Sequence, residues 1–161
     1  MQQLNAYLDD EAATQALGGA LARALVPGLV IYLHGDLGAG KTALTRALIQ
    51  ASGHKGTVKS PTYTLSEPYR IELDGKRVNL IHYDLYRMSS PEEFLDAGFR
   101  EDFDGRNVCI VEWPEKGEPV LPSPDVRVLL NVSGAGRAVE LQALSPQGLL
   151  CLDRLSFAPP P

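Results

Sequence analysis

The sequence predicts a small α/β domain built around a phosphate-binding loop. Three observations predict it. Residues 35–42 carry the pattern G-x-x-x-x-G-K-[ST] between an apolar strand and a helix. Two later apolar strands each end in a carboxylate, and the 161 residues suit one compact domain. Because ligands of open α/β sheets bind at the carboxyl ends of the strands, the fold class also predicts where a nucleotide would lie.

The elements around the loop follow from capping residues and apolar periodicity. Asp9 or Asp10 can cap a first helix, and apolar residues recur at near-helical spacing over residues 12–25. An apolar, β-rich run at residues 29–33 predicts the strand that enters the loop. Residues 41–50 predict the helix that leaves it, so the loop lies at a strand-to-helix turn.

The second half of the chain is divided by turn residues and prolines. It predicts an antiparallel hairpin at 69–73 and 77–84 around Asp74-Gly75, a short helix opened by Ser90-Pro91, a strand at 107–112, and a final hairpin at 126–132 and 137–144. We expect residues 1–155 to form the domain and the Pro-rich tail, residues 156–161, to be disordered.

Composition narrows the classes of function. A net charge of −5 and a pI near 5.2 argue against a chain that grips nucleic acid by its phosphates. Cys109 and Cys151 lie far apart without a C-x-x-C pattern, which is typical of reduced cysteines. The first residues lack the features of a signal peptide, and no apolar run approaches the roughly 20 residues of a membrane span. We therefore expect a soluble, cytoplasmic protein.

The loop residues have separate roles at a nucleoside triphosphate. Glycines let the backbone approach phosphate oxygens, Lys41 can place its ammonium at the β- and γ-phosphates, and the Thr42 hydroxyl can ligate Mg²⁺. A purely structural turn would not need the Lys-Thr pair, so binding of ATP or GTP is predicted. The nucleotide-binding positions at the loop are Gly35, Asp36, Gly38, Ala39, Gly40, Lys41, Thr42 and Ala43.

Two acidic residues are candidates for organising the metal and its waters. Asp84 and Glu112 each end an apolar strand, and two such carboxylates can jointly hold Mg²⁺ and orient an attacking water. The alternatives are a turn residue at Asp84 and a solvated strand end at Glu112. Trp113, the only tryptophan, either covers the edge of the core or lies beside the nucleotide.

Two further features have competing interpretations. Residues 60–64, Ser-Pro-Thr-Tyr-Thr, occupy the place of a nucleotide-sensing switch loop, although composition alone favours a Pro-containing turn with capping hydroxyls. His82 alternates with Asp84 on its strand and can face the site, but a lone histidine more often has a structural role. Neither feature is assigned to the site from the residues alone.

Missing motifs favour adenine over guanine. The chain has no Asn-Lys-x-Asp for guanine recognition, and the residues after Asp84 do not form the Asp-x-x-Gly turn of a GTPase. The phosphate loop and chain length alone also fit a small-molecule kinase. A third hypothesis is a nucleotide-dependent binding module with negligible hydrolysis.

Four motifs in register resemble one family. Residues 35–42, Ser-Pro-Thr-Tyr-Thr-Leu at 60–65, His-Tyr-Asp-Leu-Tyr-Arg at 82–87 and Val-Glu-Trp-Pro-Glu at 111–115 are similar to the TsaE (YjeE) family, the bacterial ATPase component of tRNA threonylcarbamoyladenosine biosynthesis. The resemblance runs from about residue 14 to residue 141. It implies a P-loop domain with a mixed, mostly parallel sheet and helices on both faces.

The resemblance also implies site roles and partners. ATP and Mg²⁺ would be bound, with Lys41, Asp84 and Glu112 catalytic. Thr42, Asp84 and Glu112 would be at the metal, Trp113 near the nucleotide, residues 60–65 a switch loop, and Thr14 and Arg137 at the nucleotide's border. The implied partners are the threonylcarbamoyl-transferase subunit (TsaD) and its inactive paralogue (TsaB). ATP hydrolysis would reset that complex between turnovers, with tRNA involved only indirectly.

Overall fold

The structure, a computed structural model, describes residues 2–59, 61 and 64–155, and these residues form one seven-stranded mixed sheet. Its elements in chain order are β1 (Gln3–Leu8), α1 (Glu11–Ala24), β2 (Val30–His34), α2 (Lys41–Ala51), β3 (Ser66–Leu73), β4 (Lys76–Asp84), α3 (Pro91–Asp96), β5 (Val108–Glu112), β6 (Val126–Ser133), β7 (Gly136–Ala143) and α4 (Pro146–Arg154). Short 3₁₀ helices lie at Phe99–Asp102 and Pro114–Lys116.

The strand order is β1-β7-β6-β2-β5-β4-β3. The four central strands β6, β2, β5 and β4 are mutually parallel, whereas β3 and β7 pair antiparallel at their flanks and β1 pairs antiparallel with β7. Parallel central strands bring the carboxyl ends of β2, β4 and β5 to one edge of the sheet. The predicted α/β fold class, with its mixed and mostly parallel sheet, is confirmed.

Local sequence explains where the helices begin. Asp10, one of the two predicted caps, accepts a hydrogen bond at Oδ1 from the Ala13 N–H at 2.9 Å, which satisfies a free donor of the first turn of α1. Proline stands at the first turn of α3 after Ser90, as predicted. The remaining predicted helix and strands agree with the structure to within a few residues at their ends.

Both faces of the sheet are covered, but unequally. α1, α2 and α4 pack on one face over a core that includes Leu17, Leu21 and Leu48. The other face is covered by α3, the 3₁₀ turns and their neighbouring loops, around a cluster centred on Tyr83 and Phe94. Helices on both faces are therefore confirmed, with the longer ones on the side where α2 leaves the phosphate loop.

Neither β1 nor α4 is predicted from the sequence. β1 shows only a weak alternation of exposed and buried residues, and its backbone partners belong to β7, more than 120 residues later in the chain. α4 follows Ser145-Pro146, the same dipeptide that opens α3, and here Ser145 Oγ accepts the Gly148 N–H at 3.0 Å, a capping bond that Ser90 does not make. The tail at 156–161 lies outside the described residues. No helix in the described part of the chain is long and apolar enough to span a membrane.

Candidate functional site

The phosphate loop connects β2 to the first residue of α2. Gly40 has φ 102°, a conformation that side-chain-bearing residues rarely adopt, and it directly precedes Lys41 at the helix start. At Gly35 a Cβ atom would meet the Leu130 carbonyl oxygen at 2.6 Å, so glycine is required for close approach to β6. The loop therefore presents backbone N–H groups and the positive end of the α2 dipole to one cavity.

Lys41 is folded back into this loop. Its ammonium donates a hydrogen bond to the Gly35 carbonyl and lies 3.5 Å from the centroid of the Trp113 ring, a cation–π contact. Burial lowers the pKa of Lys41, while the nearby Glu112 carboxylate opposes that shift. The side chain is thus held beside the loop by a backbone carbonyl and an aromatic ring.

Asp84 and Glu112 end adjacent parallel strands and are paired in register. Thr42 Oγ1 lies 3.3 Å and 3.5 Å from the two carboxylate oxygens of Glu112. Burial raises the pKa of Asp84. The Tyr86 N–H that donates to Asp84 Oδ1 opposes this shift, and the Glu112 charge reinforces it. One hydroxyl and two carboxylates therefore converge at the start of α2.

His82 is a site residue that the sequence analysis leaves unassigned. Its Nε2 lies 2.5 Å from Glu112 Oε2, and the two side chains are only 1% and 2% exposed. Among the described residues this is the one pair of oppositely ionisable side chains within 4 Å. The alternation of His82 with Asp84 was the available clue, but the contact with Glu112 depends on the pairing of β4 with β5.

The phosphate loop and the two strand-terminal carboxylates line a cavity of about 490 Å³ at the carboxyl edge of the sheet. The sequence-predicted residues in its wall are Gly38, Ala39, Gly40, Lys41, Thr42, Ala43, Asp84, Glu112 and Trp113. The wall also contains residues that the sequence analysis does not assign to binding, namely Leu37, Pro61, Leu65, Tyr86 and Arg87. The Tyr86 and Trp113 rings meet edge to face at 4.9 Å between centroids. Trp113 thus lines the cavity beside Lys41.

Thr14 and Arg137 lie on the other side of the loop. They line a second cavity of about 270 Å³, whose wall shares Gly40 and Ala43 with the first. Arg137 donates from Nε to the Ala39 carbonyl at 3.0 Å and from Nη2 to the Gly38 carbonyl at 3.2 Å. Arg137 therefore contacts the loop backbone itself, a role that the sequence analysis does not predict.

Two other predicted positions do not line either cavity. Gly35 approaches β6, and the Asp36 carbonyl accepts the Ala39 N–H at 3.0 Å inside the loop. Both residues shape the loop from within. Their predicted contact with the nucleotide stays a prediction.

The predicted switch segment is described in part. Ser60, Thr62 and Tyr63 lie outside the described residues. Leu65 has φ 64°, a left-handed conformation that is rare for a branched side chain, and its carbonyl accepts the Asp84 N–H at 2.9 Å. The end of the segment is therefore tied directly to the acidic residue of β4. Its switching role stays a prediction.

The chain is similar to proteins of one family. The family model described as "Threonylcarbamoyl adenosine biosynthesis protein TsaE" matches residues 8–139. The tRNA threonylcarbamoyladenosine biosynthesis protein TsaE of Haemophilus influenzae is 42% identical over 153 residues, covering 92% of this chain and 94% of that protein. The Bacillus subtilis protein of the same name is 37% identical, covering 83% and 81%.

A solved structure shows the same fold. The crystal structure of Bacillus subtilis YdiB superposes with a TM-score of 0.74 at 29% identity, covering 95% of this chain and 94% of that one. The family match spans most of the chain, from β1 to β7, and contains the phosphate loop and both strand-terminal carboxylates. The chain belongs to the TsaE family.

Proposed function

We propose that this chain is the Mg²⁺-dependent, ATP-binding and ATP-hydrolysing subunit of tRNA threonylcarbamoyladenosine biosynthesis. The observation that carries the proposal is that Thr42, Asp84 and Glu112 line one cavity with Lys41 of the phosphate loop. Family membership supplies the pathway, since the curated relatives are named for it. The geometry supplies the chemistry, because these groups are the ones a triphosphate and its metal require.

The nucleotide would extend across Gly40 and Ala43. These two residues line both cavities, so phosphates in the larger one can continue into a nucleoside in the smaller one, beside Thr14 and Arg137. The larger cavity, about 490 Å³, lies in the usual range for small-molecule sites. On binding, the Lys41 ammonium would exchange the Trp113 ring and the Gly35 carbonyl for phosphate oxygens.

The donor set fits Mg²⁺. Hydroxyl and carboxylate oxygens are the hard ligands that this ion prefers, and a cation beside Asp84 would offset the burial that raises the pKa of its carboxyl. When bound, Mg²⁺ would supply positive charge beside the phosphates. Thr42, Asp84 and Glu112 would hold it, and the two carboxylates would orient an attacking water. Lys41 would stabilise charge on the phosphates.

The partners would be TsaD and TsaB, with tRNA involved only through them, and the complex would work in the cytoplasm. A net charge of −5 suits docking to protein better than gripping a polyanion. Leu37 at the cavity mouth is 67% exposed and Tyr86 is 40% exposed, so apolar side chains lie where a partner can sense the nucleotide. Contact at this mouth would couple hydrolysis to the state of the complex.

The test is steady-state ATP turnover by the purified chain, alone and with both partners. We expect the partners to raise turnover, Lys41→Ala to abolish it, and Glu112→Gln to retain nucleotide binding while losing most turnover. Undiminished ATP turnover in Lys41→Ala would contradict the proposal. Transfer of phosphate from ATP to a metabolite would favour the kinase alternative. ATP binding without turnover in the assembled complex would favour the binding module.

A further inference from the structure

We propose that His82 is a positioning residue that aims Glu112 at the metal side of the site. The proposal rests on the proposed function, because it assigns Glu112 to a Mg²⁺·nucleotide complex. It begins from a buried contact. His82 Nε2 and Glu112 Oε2 are 2.5 Å apart, and both side chains are almost completely removed from water.

His82 contacts only one of the two oxygens of Glu112. Its Nε2 lies against Oε2, whereas the Thr42 hydroxyl lies 3.3 Å from Oε1 and 3.5 Å from Oε2. A carboxylate accepts hydrogen bonds and donates none, so we assign the hydrogen to His82 Nε2, which donates to Oε2. This bond fixes the rotation of the carboxylate through Oε2 and keeps Oε1, which His82 does not contact, slightly nearer to the Thr42 hydroxyl.

Rigid elements hold both partners of the contact. His82 lies on β4 two residues before Asp84, on the same face of the strand, and Glu112 is the last residue of the adjacent strand β5. Thr42 is the second residue of α2. A donor anchored on an inner strand of the sheet thus helps to set the distance between a carboxylate and a hydroxyl on separate elements.

The second ring nitrogen argues against a purely structural role. His82 Nδ1 is buried and has no hydrogen-bond partner in the described part of the chain. A buried ring nitrogen without a partner destabilises a core position, where an apolar side chain would pack without this cost. The Glu112 carboxylate is also costly to bury, and the donor that offsets this cost at Oε2 is His82 Nε2. A pair that is costly to bury, and of which Glu112 lines the candidate ligand cavity, is better explained by positioning than by stability.

The test measures the ATP dissociation constant by calorimetry, without and with Mg²⁺. The magnesium ratio is the dissociation constant without Mg²⁺ divided by the constant with Mg²⁺, so a larger ratio means that Mg²⁺ strengthens ATP binding more. His82→Asn places its amide near the Nδ1 position, short of Glu112, whereas His82→Gln places an amide N–H near the Nε2 position. Outer-sphere partners of metal ligands typically contribute 10–100-fold to metal affinity. We expect His82→Asn to lower the magnesium ratio by about tenfold or more and His82→Gln to stay near the wild-type value.

A matched control is His54→Asn. His54 follows the far end of α2, and its ring packs edge to face on Tyr69 at 4.9 Å between centroids. We expect the magnesium ratio of this variant to equal that of wild type. A wild-type ratio in His82→Asn would overturn the inference, as would an equal loss in His82→Gln and His82→Asn. Neither result touches wild-type turnover with partners, so failure of the inference is distinguishable from failure of the proposed ATPase.

A second measurement needs neither nucleotide nor metal, nor a folded His82 variant. Imidazole ¹⁵N spectra of the ligand-free wild-type chain should contain one Nε2–H that is protected from exchange. This signal should move in Glu112→Gln much more than in the neighbouring Asp84→Asn. A protected hydrogen at Nδ1 instead, or a signal indifferent to Glu112→Gln, would overturn the assignment.

Discussion

Arg137 provides the sharpest test of how the phosphate loop is held. Its guanidinium donates to two carbonyls of the loop, Ala39 at 3.0 Å and Gly38 at 3.2 Å, from a half-buried position on β7. We expect Arg137→Gln to release these carbonyls, so that ligand binding must also order the loop. At about 1 kcal/mol for each partly exposed hydrogen bond, the loss is about 2 kcal/mol, or roughly 30-fold in the dissociation constant.

The assay compares two ligands. Calorimetric titration with Mg²⁺·ATP and with inorganic triphosphate should show the same roughly 30-fold weakening, because the loop binds phosphates in both. Arg137→Lys keeps the charge but not the fork of donors, and we expect an intermediate loss. Arg106→Gln, an exposed residue before β5 at the opposite end of the sheet, is the control and should bind both ligands normally.

A loss of affinity confined to ATP would contradict the role of Arg137 in holding the phosphate loop. Triphosphate binding at the wild-type level in Arg137→Gln would mean that Arg137 contacts the nucleoside rather than braces the loop. Normal binding of both ligands would exclude either role.

Three further predictions concern charge, fluorescence and packing. Burial raises the pKa of the Asp84 carboxyl above its ordinary value of 3.8, so the native state binds this proton more tightly than the unfolded state does. Stability therefore falls as pH rises from 3.8, the pKa in the unfolded state, through the higher pKa of the native state. Asp84→Asn should accordingly stabilise the ligand-free protein at pH 7, and the gain should disappear well below pH 3.8, as measured by urea unfolding. Equal stability at pH 7 would contradict the burial argument. Trp113 emission should change at saturating ATP, because the Lys41 ammonium 3.5 Å from the ring centroid moves to phosphate, and unchanged emission would mean that this contact survives binding. Gly18→Ala should destabilise by about 1–3 kcal/mol in thermal unfolding, since its Cβ would lie 2.5 Å from the Ala47 Cβ. Gly19→Ala, which meets only the flexible Arg23 side chain, should instead stabilise by about 0.5–1 kcal/mol, and similar midpoints for the two variants would refute the α1–α2 packing argument.

Local chemistry accounts for the parts that the sequence predicted correctly. Asp74-Gly75 permits the tight turn between β3 and β4, with both residues at positive φ, and the hairpin forms where the dipeptide predicts it. Asp10 caps α1 because its carboxylate is one turn from free N–H groups. The phosphate loop could be predicted for the same reason, because its glycines, Lys41 and Thr42 lie within eight consecutive residues.

Long-range pairing accounts for what the sequence did not predict. β1 is stabilised as a strand by β7, and no local feature of residues 3–8 indicates that partner. His82 could be assigned to the site only when β4 was seen beside β5, which brings its ring to Glu112. Arg137 similarly meets the loop because β7 lies next to β6, whose Leu130 carbonyl approaches Gly35.

The amino-acid sequence was enough to predict a phosphate loop on a strand-to-helix turn, two strands that end in carboxylates, and the family, from its four motifs. Each depends on residue type and spacing within a few turns of chain, where backbone geometry leaves few alternatives. The tertiary structure was needed to show which groups share a cavity, which oxygen of Glu112 contacts His82, and that Arg137 donates to the loop carbonyls. Those contacts join residues 30 to about 100 positions apart, and the order and register of the strands, not local preference, set their distances.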